Sequence, residues 1–384
     1  MKIFNNNYSW KLYAIASILF LVILILFAGL YPASDYELSI FEIFPLYIWI
    51  LFEIFVSFNI VFLICYAINR TDKSVLLKIL LFIQILITTF LLLLPTIHGY
   101  CIFSRGDVHT HIGIINDILS YGYTSFDNFY PLSHIYIAQI AFLSNISLLK
   151  LISLTSPILN IFYILCIFLF ARTIFNDFYS AIISACLGCV LFIGGYNLAF
   201  TPYGISIMIF PLILFVYFKM QISNNQFSWK LLLFIPILLM PFLHPLFSLI
   251  IIMSIISFII SNIIYIRFSE SPKESLWIVN KTNNIFFLFV SIIAFIFWFS
   301  SFSVWTNNIR EVAKWFGADI KSTPADSMLG TSELISTSGY NPNQILFLNF
   351  GTATILLILL FIYYFYFIKG LVYKKIPNNN LFTI

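Results

Sequence analysis

The feature that most constrains this chain is a series of ten apolar runs, each close to the length a helix needs to cross a bilayer. They cover residues 12–30, 45–68, 76–97, 151–171, 178–197, 202–219, 229–243, 246–266, 284–304 and 345–368. A spanning helix takes about 20 such residues, and it must satisfy its backbone polar groups internally because hydrocarbon offers no partners. A soluble fold cannot absorb this pattern. Of the 384 residues, 61% are hydrophobic and only 9% charged, roughly a third of the ~25% charged content of soluble domains. The chain therefore reads as an all-α polytopic membrane protein. The run at 229–243 is the weakest, and Pro236 and Pro241 interrupt it. The first run has no small-x-small cleavage site after it and reads as a span rather than a signal peptide.

Charge and cysteine content exclude other classes. The net charge of +4 is spread along the chain with no basic run, so no nucleic-acid partner is expected. The five cysteines form no disulfide framework. Cys186 and Cys189 make a Cys-x-x-Cys inside an apolar run, where packing is the expected role.

Lys and Arg concentrate in cytoplasmic loops, and that rule closes the topology. Lys2 and Lys11 place the N-terminus inside, and Lys369, Lys374 and Lys375 place the C-terminus there. Arg70 with Lys73 and Lys78, Arg172, Lys219 with Lys230, and Arg267 with Lys273 and Lys281 mark inner loops. Only ten spans satisfy every mark. One further apolar run, residues 131–142, must then lie on the outer surface as an interfacial helix. The two long hydrophilic stretches, 98–150 and 305–344, both face outward, and no soluble domain is expected.

The first outer loop holds four of the five histidines, His98, His109, His111 and His134. Asp107, Asp117 and Asp127 stand among them. Val108, Ile112, Ile115 and Leu119 follow the spacing of an amphipathic helix, with Asp107 at its N-cap position and Gly122 at its end. Pro131 would open the interfacial helix. Titratable groups crowded at a membrane boundary are functional candidates; the plainer reading is a solvated loop with a capping aspartate. A divalent metal on Asp107, His109 and His111 needs extended backbone, because alternate side chains share a face only there. On a continuous helix only Asp107 and His111 are neighbours, leaving those two as the metal candidates.

Elsewhere, Glu53 is the acid inside a span and is expected to pair with a polar group on a neighbouring helix. Gln84, Asn160 and Asn197 are expected to hydrogen-bond between helices. His244, in Pro241-Phe242-Leu243-His244-Pro245, sits at an outer turn, as a cap or a substrate contact. In the second outer loop Ile309, Val312, Ala313 and Phe316 predict another surface helix. Its cations Arg310 and Lys314 lie on the side where cations are scarce, as do Arg105 and Lys150. They suit either lipid headgroups or the phosphate of a lipid-linked substrate.

This layout resembles the GT-C superfamily of membrane glycosyltransferases, particularly uncharacterised archaeal members. The resemblance rests on a span followed by a long outer loop with an early Asp and nearby His, and on Tyr130-Pro131-Leu132-Ser133-His134 opening an interfacial helix. It covers roughly residues 76–368, so that 1–75 supplies two additional spans and 76–384 the core with its outer loops. Members take sugar from a polyprenyl-phosphate or polyprenyl-diphosphate donor on the outer side. The resemblance implies that Asp107 is the general base on the acceptor, or a metal ligand as in the oligosaccharyltransferase branch. Two departures stand out: Asp107 is followed by Val108 rather than a second acid, and no Trp-Trp-Asp-Tyr-Gly occurs.

The expectation is thus an inverting glycosyltransferase of the cell membrane, acting at the extracytoplasmic face. Asp107 with His109 or His111 would be catalytic. Arg105, His134, Lys150, His244, Arg310 and Lys314 would bind substrate, and membrane lipids and a lipid-linked sugar would be its partners. The rival is a multi-pass transporter or lipid flippase, which would place ionisable groups near the midplane.

Overall fold

The structure, a computed structural model, describes residues 7–30, 32–33, 40–69, 74–102, 107–190, 200–223, 225–268 and 281–302, and short pieces between 333 and 365. The described residues are helical, with no strand. They form α1 (Asn7–Leu30), α2 (Leu46–Ile68), α3 (Ser74–Ile97), α4 (Asp107–Tyr121), α5 (Pro131–Ser144), α6 (Leu148–Phe175), α7 (Phe178–Val190), α8 (Pro202–Ile222), α9 (Gln226–Leu243), α10 (Pro245–Phe268) and α11 (Lys281–Phe299). Among them seven, α1–α3, α6 and α8–α10, are long and apolar enough to cross a membrane. Apolar helices at Phe178–Cys189 and Asn283–Phe299 are shorter. The fold is that of an α-helical polytopic membrane protein. The tenth apolar run, 345–368, lies largely outside the described residues.

The chain divides into two compact units, residues 1–247 and 248–384. In the first, α1 and α2 pack on α3 through Leu21, Leu24, Phe52, Ile87 and Leu94. Leu63, Leu77, Ile182 and Cys186 join α2, α3 and α7. Tyr163, Ile164, Ala185, Cys189 and Met208 join α6, α7 and α8. The Cys-x-x-Cys is therefore split between two apolar clusters, and both thiols are free and buried. The outward faces are apolar as well: Leu12, Ile15, Leu19, Ile23 and Leu26 along α1, and Ile50, Ile54, Phe58 and Val61 along α2, are all exposed. Water would oppose such faces, whereas lipid favours them.

A buried polar cluster ties three of these helices together. Asn59 donates through Nδ2 to Gln84 Oε1 at 2.9 Å and to the Leu80 carbonyl at 3.2 Å. Its Oδ1 accepts from the Tyr13 hydroxyl at 3.3 Å. Gln84 thus does link helices as expected. Asn160 does not: it is fully buried on α6, and neither amide atom has a hydrogen-bond partner among the described residues. Asn197 lies outside the described residues. Glu53 stands exposed on α2 with no hydrogen bond or ion pair among the described residues, so the expected pairing is not found.

Helices α4 and α5 pack on each other. At 14 residues, α5 spans about 21 Å by helical rise, too short for a hydrocarbon core of ~30 Å. Around these two helices Tyr121, Tyr123, Phe126, Tyr136, Phe142 and Leu143 are exposed, an aromatic rim of the kind that sits at lipid headgroups. Gly122 ends α4 with φ +77°, a left-handed conformation that glycine adopts without cost. Short connections make α6 antiparallel to α7 and α8 antiparallel to α9. One end of this unit consequently collects Lys78, Arg172, Lys219 and Lys230, and the other collects α4, α5 and the α9–α10 turn.

Candidate functional site

The site begins with α4. Val108, Ile112 and Ile115 are buried, as the spacing predicts, while Leu119 at the end of the stripe is exposed. Because the helix is continuous from Asp107, Asp107 and His111 lie one turn apart on one face. His109 is exposed on another face. Three donors from this segment cannot converge, and the described residues contain no group of three or more His, Cys, Asp or Glu able to hold a metal. Asp107 and His111 alone offer two donors, fewer than a protein metal site ordinarily supplies. Among the described residues no third donor joins Asp107 and His111.

The structure brings His111 to His134 instead. His111 Nδ1 lies 3.0 Å from His134 Nε2, and His134 Nδ1 lies 2.9 Å from Asn128 Oδ1. Asn128 is held in turn: Nδ2 donates to Thr124 Oγ1 at 2.7 Å, and Oδ1 accepts the Tyr130 backbone N–H at 3.0 Å. The last contact is an Asx turn, which Asn forms readily just before a helix. His134 and Asn128 are buried, and His111 is partly exposed. A row of side chains therefore runs from the protein interior to an accessible imidazole.

The fifth histidine joins from far along the chain. His244, at the α9–α10 turn, stacks on the Tyr130 ring with centroids 5.0 Å apart and planes 11° from parallel. Its backbone N–H closes α9 on the Met240 carbonyl at 2.8 Å, while its Nδ1 is buried without a hydrogen-bond partner among the described residues. Tyr203 meets His244 edge-on at 5.7 Å, and Phe200 meets His111 edge-on at 6.3 Å. Rings at or beside the starts of four helices, α4, α5, α8 and α10, thus meet in one place. Three of the four open with proline, Pro131, Pro202 and Pro245, whose missing N–H costs nothing at that position. Each helix start carries a partial positive charge of about half a unit, which favours an anion beside it.

The same environment keeps the imidazoles neutral. Burial pushes His134 down to about 3, with the neighbouring His111 adding to the shift. Burial likewise pushes His244 down to about 4, again helped by His111. His111 is lowered by burial, and the Asp107 carboxylate opposes that shift. Tyr130 is raised by burial and then by Asp107.

Of the residues singled out from sequence, the structure gathers Asp107, His111, His134 and His244. His109 and Lys150 are exposed outside the gathered group. His98 lies in the turn after α3, where its carbonyl accepts the Ala33 N–H at 2.8 Å and its ring faces Tyr100. Arg105, Arg310 and Lys314 lie outside the described residues. His134 is fully buried, and both of its ring nitrogens face neighbouring side chains, His111 and Asn128. Asn128, Tyr203 and Phe200 were not singled out at all. Asn128 alone carried a signal, its place two residues before Tyr130-Pro131, where an Asx turn leads into a helix. Comparison with protein-family models, with curated proteins and with solved structures finds no match to this chain.

Proposed function

We propose that this chain is a multi-pass membrane glycosyltransferase. It would move a sugar from a polyprenyl-phosphate-linked donor to an acceptor hydroxyl at the extracytoplasmic face. The observation that carries this reading is the gathering of His111, His134 and His244 beside four helix starts, with the Asp107 carboxylate one turn from His111. An anion and a proton acceptor are thereby accommodated side by side at the end of a lipid-facing bundle.

The roles follow from position. The donor phosphate would sit at the helix N-termini, whose fixed dipoles stabilise charge as the sugar–phosphate bond breaks. The Asp107–His111 pair would take the acceptor proton. The polyprenyl tail would lie along the exposed apolar helix faces. Lys78, Arg172, Lys219 and Lys230 gather at the opposite end of the unit, and the positive-inside rule supports a cytoplasmic assignment of that end. The transport reading gains no comparable support, since among the described residues no Asp, Glu, Lys or Arg is buried.

The test is release of free polyprenyl phosphate from radiolabelled polyprenyl-phosphate hexoses in membranes holding wild type or Asp107→Asn. Release by wild type and its loss in a folded Asp107→Asn supports the reading. No release across the donor panel would contradict it.

A further inference from the structure

The hydrogen-bond row assigns a proton to each imidazole, and it starts from a group whose chemistry is fixed. A backbone N–H can only donate, so the atom of Asn128 that faces the Tyr130 N–H at 3.0 Å is its carbonyl oxygen. That same oxygen lies 2.9 Å from His134 Nδ1. His134 therefore carries its proton on Nδ1 and leaves Nε2 as a lone pair. The lone pair faces His111 Nδ1 at 3.0 Å, so His111 also carries its proton on Nδ1. A neutral imidazole with Nδ1–H has a bare Nε2. That nitrogen of His111 makes no hydrogen bond among the described residues, and the residue is partly exposed.

From this geometry we infer that His111 Nε2 is the proton-accepting atom of the site, held in that tautomer by His134 and Asn128 as positioning residues. The inference rests on the glycosyltransferase reading for its reaction and on the hydrogen-bond row alone for its atom assignments. It also reorders the roles suggested by resemblance, because Asp107 becomes the partner of the base. In the transfer step the acceptor O–H bond breaks and its proton passes to His111 Nε2. The acceptor oxygen forms a bond to the anomeric carbon. The bond from that carbon to the donor's phosphate oxygen breaks, and both its electrons leave on the phosphate. The imidazolium stands one turn from the Asp107 carboxylate, which stabilises its charge, and it then returns the proton to water. Every described group that faces it from the packed elements has a compatible role: His134 accepts its Nδ1–H, Tyr130 and Phe200 wall the ring, and His244 lies neutral beyond Tyr130.

The experiment is nitrogen-15 magnetic resonance on the full chain, labelled at histidine and held in lipid nanodiscs at neutral pH, with His111→Gln used to assign the signals. His111 and His134 are both expected with protonated Nδ1 and bare Nε2, and with a coupling between His111 Nδ1 and His134 Nε2. A proton found on His111 Nε2 would overturn the inference. Asn128→Leu removes the acceptor and should let His111 exchange to the Nε2–H form that free imidazole side chains prefer. Asn128→Asp keeps an acceptor and should keep the tautomer. Release of polyprenyl phosphate from the labelled hexose donors separates the two proposals. Loss of about tenfold or more in Asn128→Leu and retention in Asn128→Asp support the base assignment. Undiminished release by His111→Gln would overturn it. The stated tautomer without release from any donor leaves the atom assignment standing and removes the sugar-transfer reading.

Discussion

Two buried polar clusters lie in the first unit, and they differ in how they end. In the α1–α2–α3 cluster the amide of Asn59 is spent on its neighbours: two donations to Gln84 and Leu80, one acceptance from Tyr13. At the opposite extreme, the α4–α5 row starts from an equally well-held amide, Asn128, but runs outward through His134 and stops at an unused nitrogen of His111. The first network closes on itself and can only hold helices together. The second spends three side chains to deliver one free lone pair to the place where rings beside four helix starts gather. A closed polar network inside a membrane protein is a fastener; an open one is poised to act on something else.

Breaking each cluster should therefore have opposite consequences. The largest effect belongs to His111→Gln, expected to lower polyprenyl phosphate release by about 10²–10⁴-fold while the protein still extracts as a folded species. Asn128→Leu should cost about tenfold by releasing the tautomer without removing the base, measured in the same assay. The pH dependence of stability sharpens the contrast. His134 and His244 sit at about 3 and about 4 in the folded protein, below the ~6.5 of an unfolded histidine. Between those values the unfolded chain binds protons that the folded chain refuses. Stability should be flat above about pH 7.5 and fall as pH drops from about 7 toward 4. The slope is at most about 1.4 kcal/mol per pH unit for each such histidine. Thermal melting in detergent at pH 7.5 and pH 5 checks this, and the double variant His134→Asn, His244→Asn should flatten the difference. Asn59→Leu should cost about 1–3 kcal/mol in the same melts, since it strands Gln84 and Tyr13, and should leave the transfer rate near wild type. The smallest effect is assigned to Glu53→Gln, within about twofold on transfer by the ordinary scatter of exposed sites. A large loss there would favour transport.

Much of the architecture was legible in the residues because hydrophobic length is a local property. Seven of the ten spans, the shortness of α5, the end of α4 at Gly122 and the neighbouring of Asp107 with His111 all follow from spacing within one segment. The site was legible only in part. Local composition pointed to the first outer loop, with His109 and His111 as catalytic and His134 as substrate-binding, but of the loop's four histidines the fold joins only His111 and His134. His244 reaches Tyr130 from the far end of α9, a long-range consequence that no window of sequence displays. Asn128 looked like an ordinary turn residue, and its importance comes from which atom faces His134. Asn160 failed in the other direction: a polar residue at a helix interface need not find a partner there. The cations of the second loop, Arg310 and Lys314, lie outside the described residues, so the anion site argued from structure rests on helix N-termini instead.

The measurement that bears most directly on the open cluster as the reaction centre is the release of labelled polyprenyl phosphate at matched amounts of folded protein. It compares wild type, His111→Gln and Asn59→Leu. The account predicts release by wild type, near-equal release by Asn59→Leu, and a loss of at least about 10²-fold in His111→Gln. Equal release by all three would contradict it.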